Sequence, residues 1–381
     1  AGHGAVTVEF ADECLGRLRR GGFGAEEASR ALAMFFQLRR AFHFIHTGLA
    51  GASRCMQELR VQLWNNVFTH DFLTYERLLW NRLEDFSTLL LGETGTGKGT
   101  AAAAIGRSGY IPFDARGGRF AQSFTEIFIA ANLSQFAESL IESELFGHRK
   151  GAFTGAVETH EGVFGRCLPN GAIFLDEIGE VSVPVQIKLL RVIHERVFSP
   201  VGSHEGRRFA GRVIAATNRP LETLRASGRF RDDFYYRLCS DQIVVPPLRQ
   251  RLGEDAGELG LLVGHILRRL CGKDGVPKTG EVVGCLEAQV GAGYAWPGNV
   301  RELEQAVRRI LLKGRYDGQA ESGAPPGAVP GLAGEIEAGR LDARALVARY
   351  CQLLYERSGN YGEVARRTGL DRRTVRKYVL G

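Results

Sequence analysis

Residues 92–98 form a glycine-rich loop of a kind that binds phosphate. A short apolar run at 87–92 predicts a buried strand before the loop, and a helix is predicted after it. Glycines let backbone N–H groups converge on phosphate oxygens at a helix N-terminus. Lys98 is placed to reach the β- and γ-phosphates of a nucleotide, although a glycine-rich turn without a ligand is the alternative. The predicted nucleotide-binding residues are Gly92, Glu93, Thr94, Gly95, Thr96, Gly97, Lys98, Gly99 and Thr100.

Two carboxylates follow a second apolar run, about 80 residues downstream. Residues 171–176 predict a buried strand, with Asp176 and Glu177 at its carboxyl end. Ligands of an open parallel sheet bind at that end. Asp176 is therefore a candidate Mg²⁺ ligand, and Glu177 a candidate for polarising an attacking water. Asn218 follows a third predicted strand and could orient that water, although an isolated Asn is more often a turn residue.

Residues 151–156 read as a small loop with one aromatic and one hydroxyl side chain. Such a segment offers little for a core, whereas an aromatic residue at a loop tip suits contact with a partner. The predicted partner-contacting residues are Gly151, Ala152, Phe153, Thr154, Gly155 and Ala156.

The stretch 142–156, ESELFGHRKGAFTGA, closely resembles the loop region of the sigma-54-dependent activators, a branch of the AAA+ ATPases also called bacterial enhancer-binding proteins. The resemblance covers roughly residues 50–313. It includes GETGTGK, similar to the family's Walker A motif, and IFLDEIGE, similar to its Walker B motif. In this family the GAFTGA loop touches the sigma factor and transmits ATP-driven movement.

The resemblance implies further roles for residues whose own patterns are weak. It implies that Arg231 and Arg237 act as arginine fingers on the nucleotide of a neighbouring subunit. Arg301, after the Trp-Pro-Gly-Asn run at 296–299, corresponds to the nucleotide-sensing residue. Asn132 aligns with the residue thought to hold the catalytic Glu inactive until the sigma factor is engaged. Gly99 is a departure, because the family usually has Glu there.

A second kind of site is predicted at the C-terminus. Ala365, Gly369 and Val375 have the spacing of a helix-turn-helix, with glycine in the turn and small or apolar residues where the helices meet. Residues 360–381 contain six Arg or Lys and two acidic residues. The segment resembles the Fis-type helix-turn-helix that ends many members of the same family. The predicted DNA-binding residues are Arg372, Arg373, Thr374, Arg376 and Lys377.

The elements that must position these residues define an α/β chain. Strands alternating with helices predict a parallel sheet in an AAA+ P-loop ATPase domain with a helical lid. An all-α N-terminal region and a C-terminal helix-turn-helix complete the predicted fold class. The predicted divisions are a helical N-terminal region of unknown role at 1–50, an α/β ATPase subdomain at 51–250, a helical lid at 251–313, a flexible linker at 314–339, and a DNA-binding domain at 340–381.

Composition narrows the class of protein further. The formal net charge is +6, which favours a polyanionic partner without requiring one. Seven scattered cysteines show neither a CxxC pair nor metal-ligand spacing, which favours reduced structural thiols. No apolar run approaches the roughly 18 residues needed to cross a bilayer. We therefore expect a cytoplasmic protein without a membrane partner, and the family resemblance implies a bacterial one.

The motifs together predict a sigma-54-dependent transcription activator that binds ATP and Mg²⁺. It would bind enhancer-like DNA, assemble into a ring, expected to be a hexamer, and use ATP hydrolysis to remodel the closed complex of sigma-54 RNA polymerase holoenzyme. One alternative is a DNA-bound regulator whose AAA+ domain binds nucleotide without productive turnover, which Gly99 favours. A second alternative is an AAA+ remodeller of other proteins, against which the loop at 151–156 argues.

Overall fold

The computed structural model describes residues 7–291, 293–316 and 342–380. Its centre is a sheet of five parallel strands in the order β4-β5-β8-β1-β9. The strands of this sheet are β1 (Thr88–Leu91), β4 (Phe128–Asn132), β5 (Ala172–Asp176), β8 (Arg212–Thr217) and β9 (Asp241–Val244). Because all five run in one direction, their carboxyl ends meet at one edge of the sheet.

Burial explains the apolar sequences of the three inner strands. All six residues of β8 are buried, as are the first four of β5 and the first three of β1. Inner strands of a parallel sheet are covered by helices on both faces, so they read as continuous apolar runs rather than alternating ones.

Helices cover both faces of this sheet. One hydrophobic core joins the N-terminal helices to the helix after β1 and is continuous across residue 50, and a second core lies on the opposite face. The helices up to residue 238 are α1 (Ala11–Arg20), α2 (Ala25–Phe42), α3 (Arg54–Phe68), α4 (Phe72–Thr74), α5 (Lys98–Arg107), α6 (Ile141–Phe146), α7 (Val163–Arg166), α8 (Val183–Glu195), α9 (Leu221–Ala226) and α10 (Asp232–Leu238).

Residues 72–83 repeat apolar side chains at helical spacing, which predicts one helix, but this helix is broken in the structure. After α4 the chain forms a π-helical turn at Tyr75–Leu79 and a 3₁₀ turn at Leu83–Asp85. Tyr75 is fully buried, and its hydroxyl contacts Gln37, whose amide also donates to the carbonyl oxygen of Ser108. This buried polar contact fixes the N-terminal helices to the end of α5.

Two short hairpins were not predicted from the sequence. They pair β2 (Phe113–Asp114) with β3 (Arg119–Phe120), and β6 (Val197–Phe198) with β7 (Arg207–Arg208). Strands of two residues carry too little periodicity to be recognised. None of the helices in the described part of the chain is both long and apolar enough to span a membrane.

Four helices with their own hydrophobic core form the predicted lid. Tyr316 belongs to this core, being 3% exposed, and its hydroxyl donates to Glu302 at 3.2 Å. The segment expected to be a linker, 314–339, therefore begins with packed residues, and from 317 onward it lies outside the described residues. The lid helices are α11 (Leu248–Glu254), α12 (Glu258–Cys271), α13 (Thr279–Val290) and α14 (Asn299–Lys313).

The described residues 342–380 belong to a separate compact unit. Its described part contains three helices, α15 (Ala343–Ser358), α16 (Tyr361–Thr368) and α17 (Arg372–Leu380). Val364 and Val375 are fully buried between them. Gly369 ends α16 with a φ of +71°, a conformation that favours glycine, so the chain turns sharply into α17.

Candidate functional site

The glycine-rich loop connects β1 to α5 at the carboxyl edge of the sheet. Gly92, Gly95 and Gly97 have φ values of +151°, +81° and +105°. A side chain at Gly95 would collide with the carbonyl oxygen of Gly298 in the lid. Gly99 and Thr100 lie exposed on the first turn of α5, and a Cβ at Gly99 would meet only Phe174, at 3.8 Å. The fold therefore requires glycine at 95 but not at 99.

Lys98 is the buried cation of this loop. Only 7% exposed, it donates from Nζ to the carbonyl oxygens of Gly92 and Glu93 at 2.8 and 3.0 Å. Burial lowers the pKa of Lys98, whereas the neighbouring Glu177 and Asp176 carboxylates raise it. The structure thus brings the predicted lysine and the two predicted carboxylates into one electrostatic cluster.

The two carboxylates lie directly after β5 and differ in environment. Asp176 accepts a hydrogen bond from the backbone N–H of Glu177 at 3.0 Å. Glu177 has a φ of +58°, which is strained for a residue with a side chain, and its Oε2 is buried without a hydrogen-bond partner. Burial and the charge of Asp176 raise the pKa of Glu177, and Lys98 opposes this shift. A partly buried carboxylate with a raised pKa is the type of group that acts as a general base.

Two asparagines end the neighbouring strands. Asn218 follows β8, and its amide donates to Thr94 Oγ1 in the phosphate loop at 2.7 Å. Asn132 ends β4 beside Asp176 in the sheet register, and its side-chain oxygen accepts from Ser134 N at 3.1 Å. Among the hydrogen bonds of the described residues, none joins Asn132 to Glu177.

A polar connection between the loop and the lid was not found from the sequence. The carboxylate of Glu93 binds the guanidinium of Arg249 and accepts from Asn299 Nδ2 at 3.1 Å. These hydrogen bonds lower the pKa of Glu93 to about 2. Glu93 therefore offers only its backbone to the phosphate cavity, while its side chain holds the lid.

Asn299 is the centre of this connection. It is fully buried with a φ of +54°, and besides Glu93 it donates to the carbonyl oxygen of Thr94 at 3.0 Å. Its Oδ1 accepts from Leu248 N at 2.8 Å. Arg301, one turn into α14, lies beside Gly95, and its charge contributes to lowering the pKa of Lys98. The lid thereby places the predicted sensing residue against the phosphate loop.

The two predicted arginine fingers lie on or beside α10. Arg231 forms an exposed ion pair with Asp233 at 2.6 Å. Arg237 is half-buried, and its Nε has no hydrogen-bond partner. No hydrogen bond or ion pair of the described residues joins either arginine to the phosphate loop, to Asp176 or to Glu177 of its own chain.

The loop at 151–156 is compact and exposed at its tip. Gly151 N donates to the carbonyl oxygen of Ala156 at 2.8 Å, which closes the loop. Phe153 is exposed, with its ring edge-on to His148 at 4.9 Å, and Thr154 is exposed beside it. The structure therefore presents an aromatic and a hydroxyl side chain on a defined turn.

The basic residues of the C-terminal unit lie on α17. Asp371 caps this helix by accepting from Arg373 N and Thr374 N at 2.8 and 3.0 Å. With Val375 facing the small core, Arg372, Arg373, Arg376 and Lys377 are exposed and Thr374 is partly exposed. All five predicted DNA-binding residues thus lie on one short helix.

The strand order, the phosphate loop after β1 and the carboxylates after β5 define an AAA+ nucleotide-binding fold. Solved structures agree: NtrX from Brucella abortus in complex with ADP matches with a TM-score of 0.54 and 21% identity, over 98% of this chain and 80% of that one. NtrX in complex with ATP matches with a TM-score of 0.51 and 23% identity, over 87% and 68%.

The sequence comparisons give the family. Residues 74–244 match the Sigma-54 interaction domain. The transcriptional regulatory protein ZraR of Escherichia coli strain K12 is 38% identical over 295 residues, covering 76% of this chain and 62% of that protein. The nitrogen fixation protein AnfA of Azotobacter vinelandii is 35% identical over 293 residues, covering 76% and 51%. The chain therefore contains a sigma-54 interaction domain and is similar to sigma-54-dependent transcriptional activators, and it spans between half and two thirds of the length of these relatives.

Proposed function

We propose that this chain is an ATP-driven activator that remodels the closed complex of sigma-54 RNA polymerase from enhancer-like DNA. The observation that carries the proposal is the cluster of Lys98, Asp176 and Glu177, whose Oε2 has no hydrogen-bond partner, beside the phosphate loop. Hydrolysis of a nucleoside triphosphate needs a base, a cation and a metal-ligating oxygen, and this cluster offers all three at the carboxyl edge of the sheet.

Each group has a defined task in this reaction. Loop N–H groups and Lys98 bind the phosphates, and Asn218, fixed by Thr94, helps to orient the attacking water. Glu177 accepts a proton from that water, for which its raised pKa is suited. The carboxylate of Asp176 suits Mg²⁺, which prefers oxygen ligands and would neutralise phosphate charge when bound.

The neighbouring subunit completes the site in this proposal. Arg231 and Arg237 have no polar contact with the described phosphate-site residues of their own chain, so their charges are available across an interface between copies. An arginine supplied in trans contributes about 10³–10⁵ in rate in related chemistry. Assembly into a ring, expected to be a hexamer, follows because each site would need residues of two chains.

Contact with the sigma factor and binding to DNA use separate surfaces in this proposal. The exposed Phe153 and Thr154 form the contact to the sigma factor, and hydrolysis moves their loop. The basic residues of α17 contact enhancer-like DNA, some through phosphates and others through base edges. Binding to DNA raises the local concentration of the ATPase near the promoter.

The proposal is tested by capture of the sigma factor. The chain is loaded with ADP and aluminium fluoride, which stands in for the transferred phosphoryl group, and mixed with purified sigma-54. We expect a stable complex with this nucleotide state, a much weaker one with ADP, and none with Thr154→Ala. Equal binding in all nucleotide states, or no binding in any, would overturn the proposal.

A further inference from the structure

A cavity of about 490 Å³ lies between the N-terminal helices and the end of α5, away from the nucleotide site. This volume is within the range of small-molecule sites, roughly 300–1,000 Å³. Arg39 and His43 are exposed at its edge, and the other lining residues are buried or partly buried. The lining residues are Phe36, Arg39, Arg40, His43, Phe44, Arg107, Ile111, Phe120, Gln122 and Phe124.

The walls of the cavity combine aromatic rings with cations. Phe36 packs edge-on against Phe120 at 5.0 Å, and Phe44 lies 6.1 Å from Phe124. The guanidinium of Arg107 lies 5.8 Å from the ring of Phe44. This arrangement offers flat apolar surfaces for a ring or chain and positive charge beside them.

Three polar groups of the lining are incompletely satisfied. Arg40 Nε, Arg107 Nε and Gln122 Oε1 are buried and have no hydrogen-bond partner. Eight such atoms occur in the described residues, and three of them line this one cavity. Because an unmet buried polar group costs about 1–3 kcal/mol, the two unpartnered guanidinium donors indicate a site where acceptor atoms of a ligand supply the missing partners.

Among the described residues, no carboxylate pairs with the positive charge at this cavity. None of the ion pairs between described residues involves Arg39, Arg40 or Arg107, and the lining contains no carboxylate. Burial lowers the pKa of Arg40 to about 10. An anionic ligand would compensate these cations.

We propose that this cavity is a binding site for a small organic carboxylate with an apolar, ring-sized body. The rings of Phe36, Phe44, Phe120 and Phe124 hold the body, and the unpartnered Nε donors of Arg40 and Arg107 serve the carboxylate. Arg40 Nη2 keeps its hydrogen bond to the carbonyl oxygen of Gly109 at 2.7 Å. A planar guanidinium and a carboxylate match geometrically.

The proposed carboxylate site is separate from the phosphate loop. Arg107 is the last residue of α5, and Lys98 is the first, so one helix of ten residues separates the two sites, about 15 Å along its axis. The proposal does not depend on ATP hydrolysis or on any contact with the sigma factor.

The test compares two probes of similar shape on the full chain. Isothermal titration calorimetry measures binding of 4-phenylbutyrate and of its neutral analogue 4-phenylbutanamide. We expect the carboxylate to bind at least about tenfold more tightly, because hydrogen bonds to a charged group are the stronger ones. Equal affinity of the two probes, or no binding of the carboxylate in the millimolar range, would overturn the proposal.

Substitutions of residues that line the cavity test where the carboxylate probe binds. Arg107→Met keeps an apolar side chain against Phe44 but removes the charge, and should weaken 4-phenylbutyrate about tenfold while leaving 4-phenylbutanamide unchanged. Arg39→Met, at an exposed position, tests the same charge effect if Arg107→Met folds poorly. Arg116→Met, exposed on the β2–β3 turn outside the cavity, is the control and should bind like the parent. Unchanged carboxylate affinity in the folded lining variants would contradict the assigned site.

Discussion

At the scale of single residues, the proposed ATP hydrolysis should depend most on Glu177. Its positive φ and unpartnered Oε2 are costs that a merely structural carboxylate would not carry. We predict that Glu177→Gln binds ATP with near-parental affinity but hydrolyses it roughly 10²–10⁴-fold more slowly, because the amide cannot accept the proton. Nucleotide binding by calorimetry and phosphate release measure the two effects separately.

A matched control distinguishes this from a general charge effect. Glu195, exposed at the end of α8 and paired with Arg191, lies outside the site, so Glu195→Gln should hydrolyse ATP like the parent. Near-parental hydrolysis by Glu177→Gln would show that another group accepts the proton.

Glu93 gives a prediction about pH. Its pKa in the folded chain is about 2, below the ordinary value of 4.5, so its contacts stabilise the fold above pH 4.5 and are lost as pH falls towards 2. The free energy of unfolding of the parent should exceed that of Glu93→Gln near neutral pH, and the difference should shrink on acidification. Denaturant titrations at several pH values measure it, and a gap independent of pH would exclude the ionised contact as its cause.

The sequence located the residues that follow strands but not those that join the loop to the lid. Lys98, Asp176 and Glu177 could be predicted because each has a short local pattern of strand and turn. Arg249 and Asn299 meet Glu93 across 156 and 206 residues. No local pattern encodes such a contact, and the positive φ of Asn299 is visible only in the folded chain.

At the scale of elements, the first turn of α5 contains a glycine that its backbone conformation does not require. Gly99 has no close neighbour and no positive φ, so Gly99→Ala should raise the free energy of unfolding by roughly 0.4–1 kcal/mol through the unfolded chain. Gly95→Ala, with a φ of +81° and a collision with Gly298, should instead be destabilising. Urea unfolding measures both, and a destabilised Gly99→Ala would mean that the turn requires glycine.

The buried strands of the sheet were easier to predict from the sequence than the exposed ones. The apolar run at 212–217 predicts β8 with the bounds observed, and the run at 242–245 predicts β9 displaced by one residue. The edge strand β4 was not predicted, because only one of its five residues is fully buried and its apolar run is weak. The break at Tyr75–Leu79 was also hidden, since a π-helical turn preserves an approximately helical spacing of apolar residues.

At the scale of the whole molecule, nucleotide sites shared between subunits, as proposed, predict that two inactive variants restore ATP hydrolysis when they are mixed. Arg237→Ala and Glu177→Gln should each be poor ATPases, whereas a mixture should recover activity, because about a quarter of randomly formed interfaces combine both intact residues. Phosphate release across mixing ratios measures the recovery, with Arg231→Ala as a second partner. Absence of recovery in rings shown to be mixed would contradict a site built from two subunits.

Because the chain divides into two compact units, the proposed ATP hydrolysis and the proposed DNA binding should be separable by truncation. A chain ending at Tyr316 keeps the complete lid core, whereas a cut after Lys313 would remove a buried side chain. The 1–316 fragment should retain ATP hydrolysis and lose site-specific DNA binding, as measured by phosphate release and by mobility shift. Unchanged affinity of this fragment for an enhancer site would contradict the role assigned to α17.

Promoter melting tests the central claim most directly. The purified chain is incubated with sigma-54 holoenzyme on a supercoiled template, and single-stranded promoter DNA is detected by permanganate reactivity. Melting should occur with ATP and fail both with a non-hydrolysable analogue and with Glu177→Gln. Melting that is equal with the analogue, or absent with ATP while the chain hydrolyses it, would contradict an activator driven by hydrolysis.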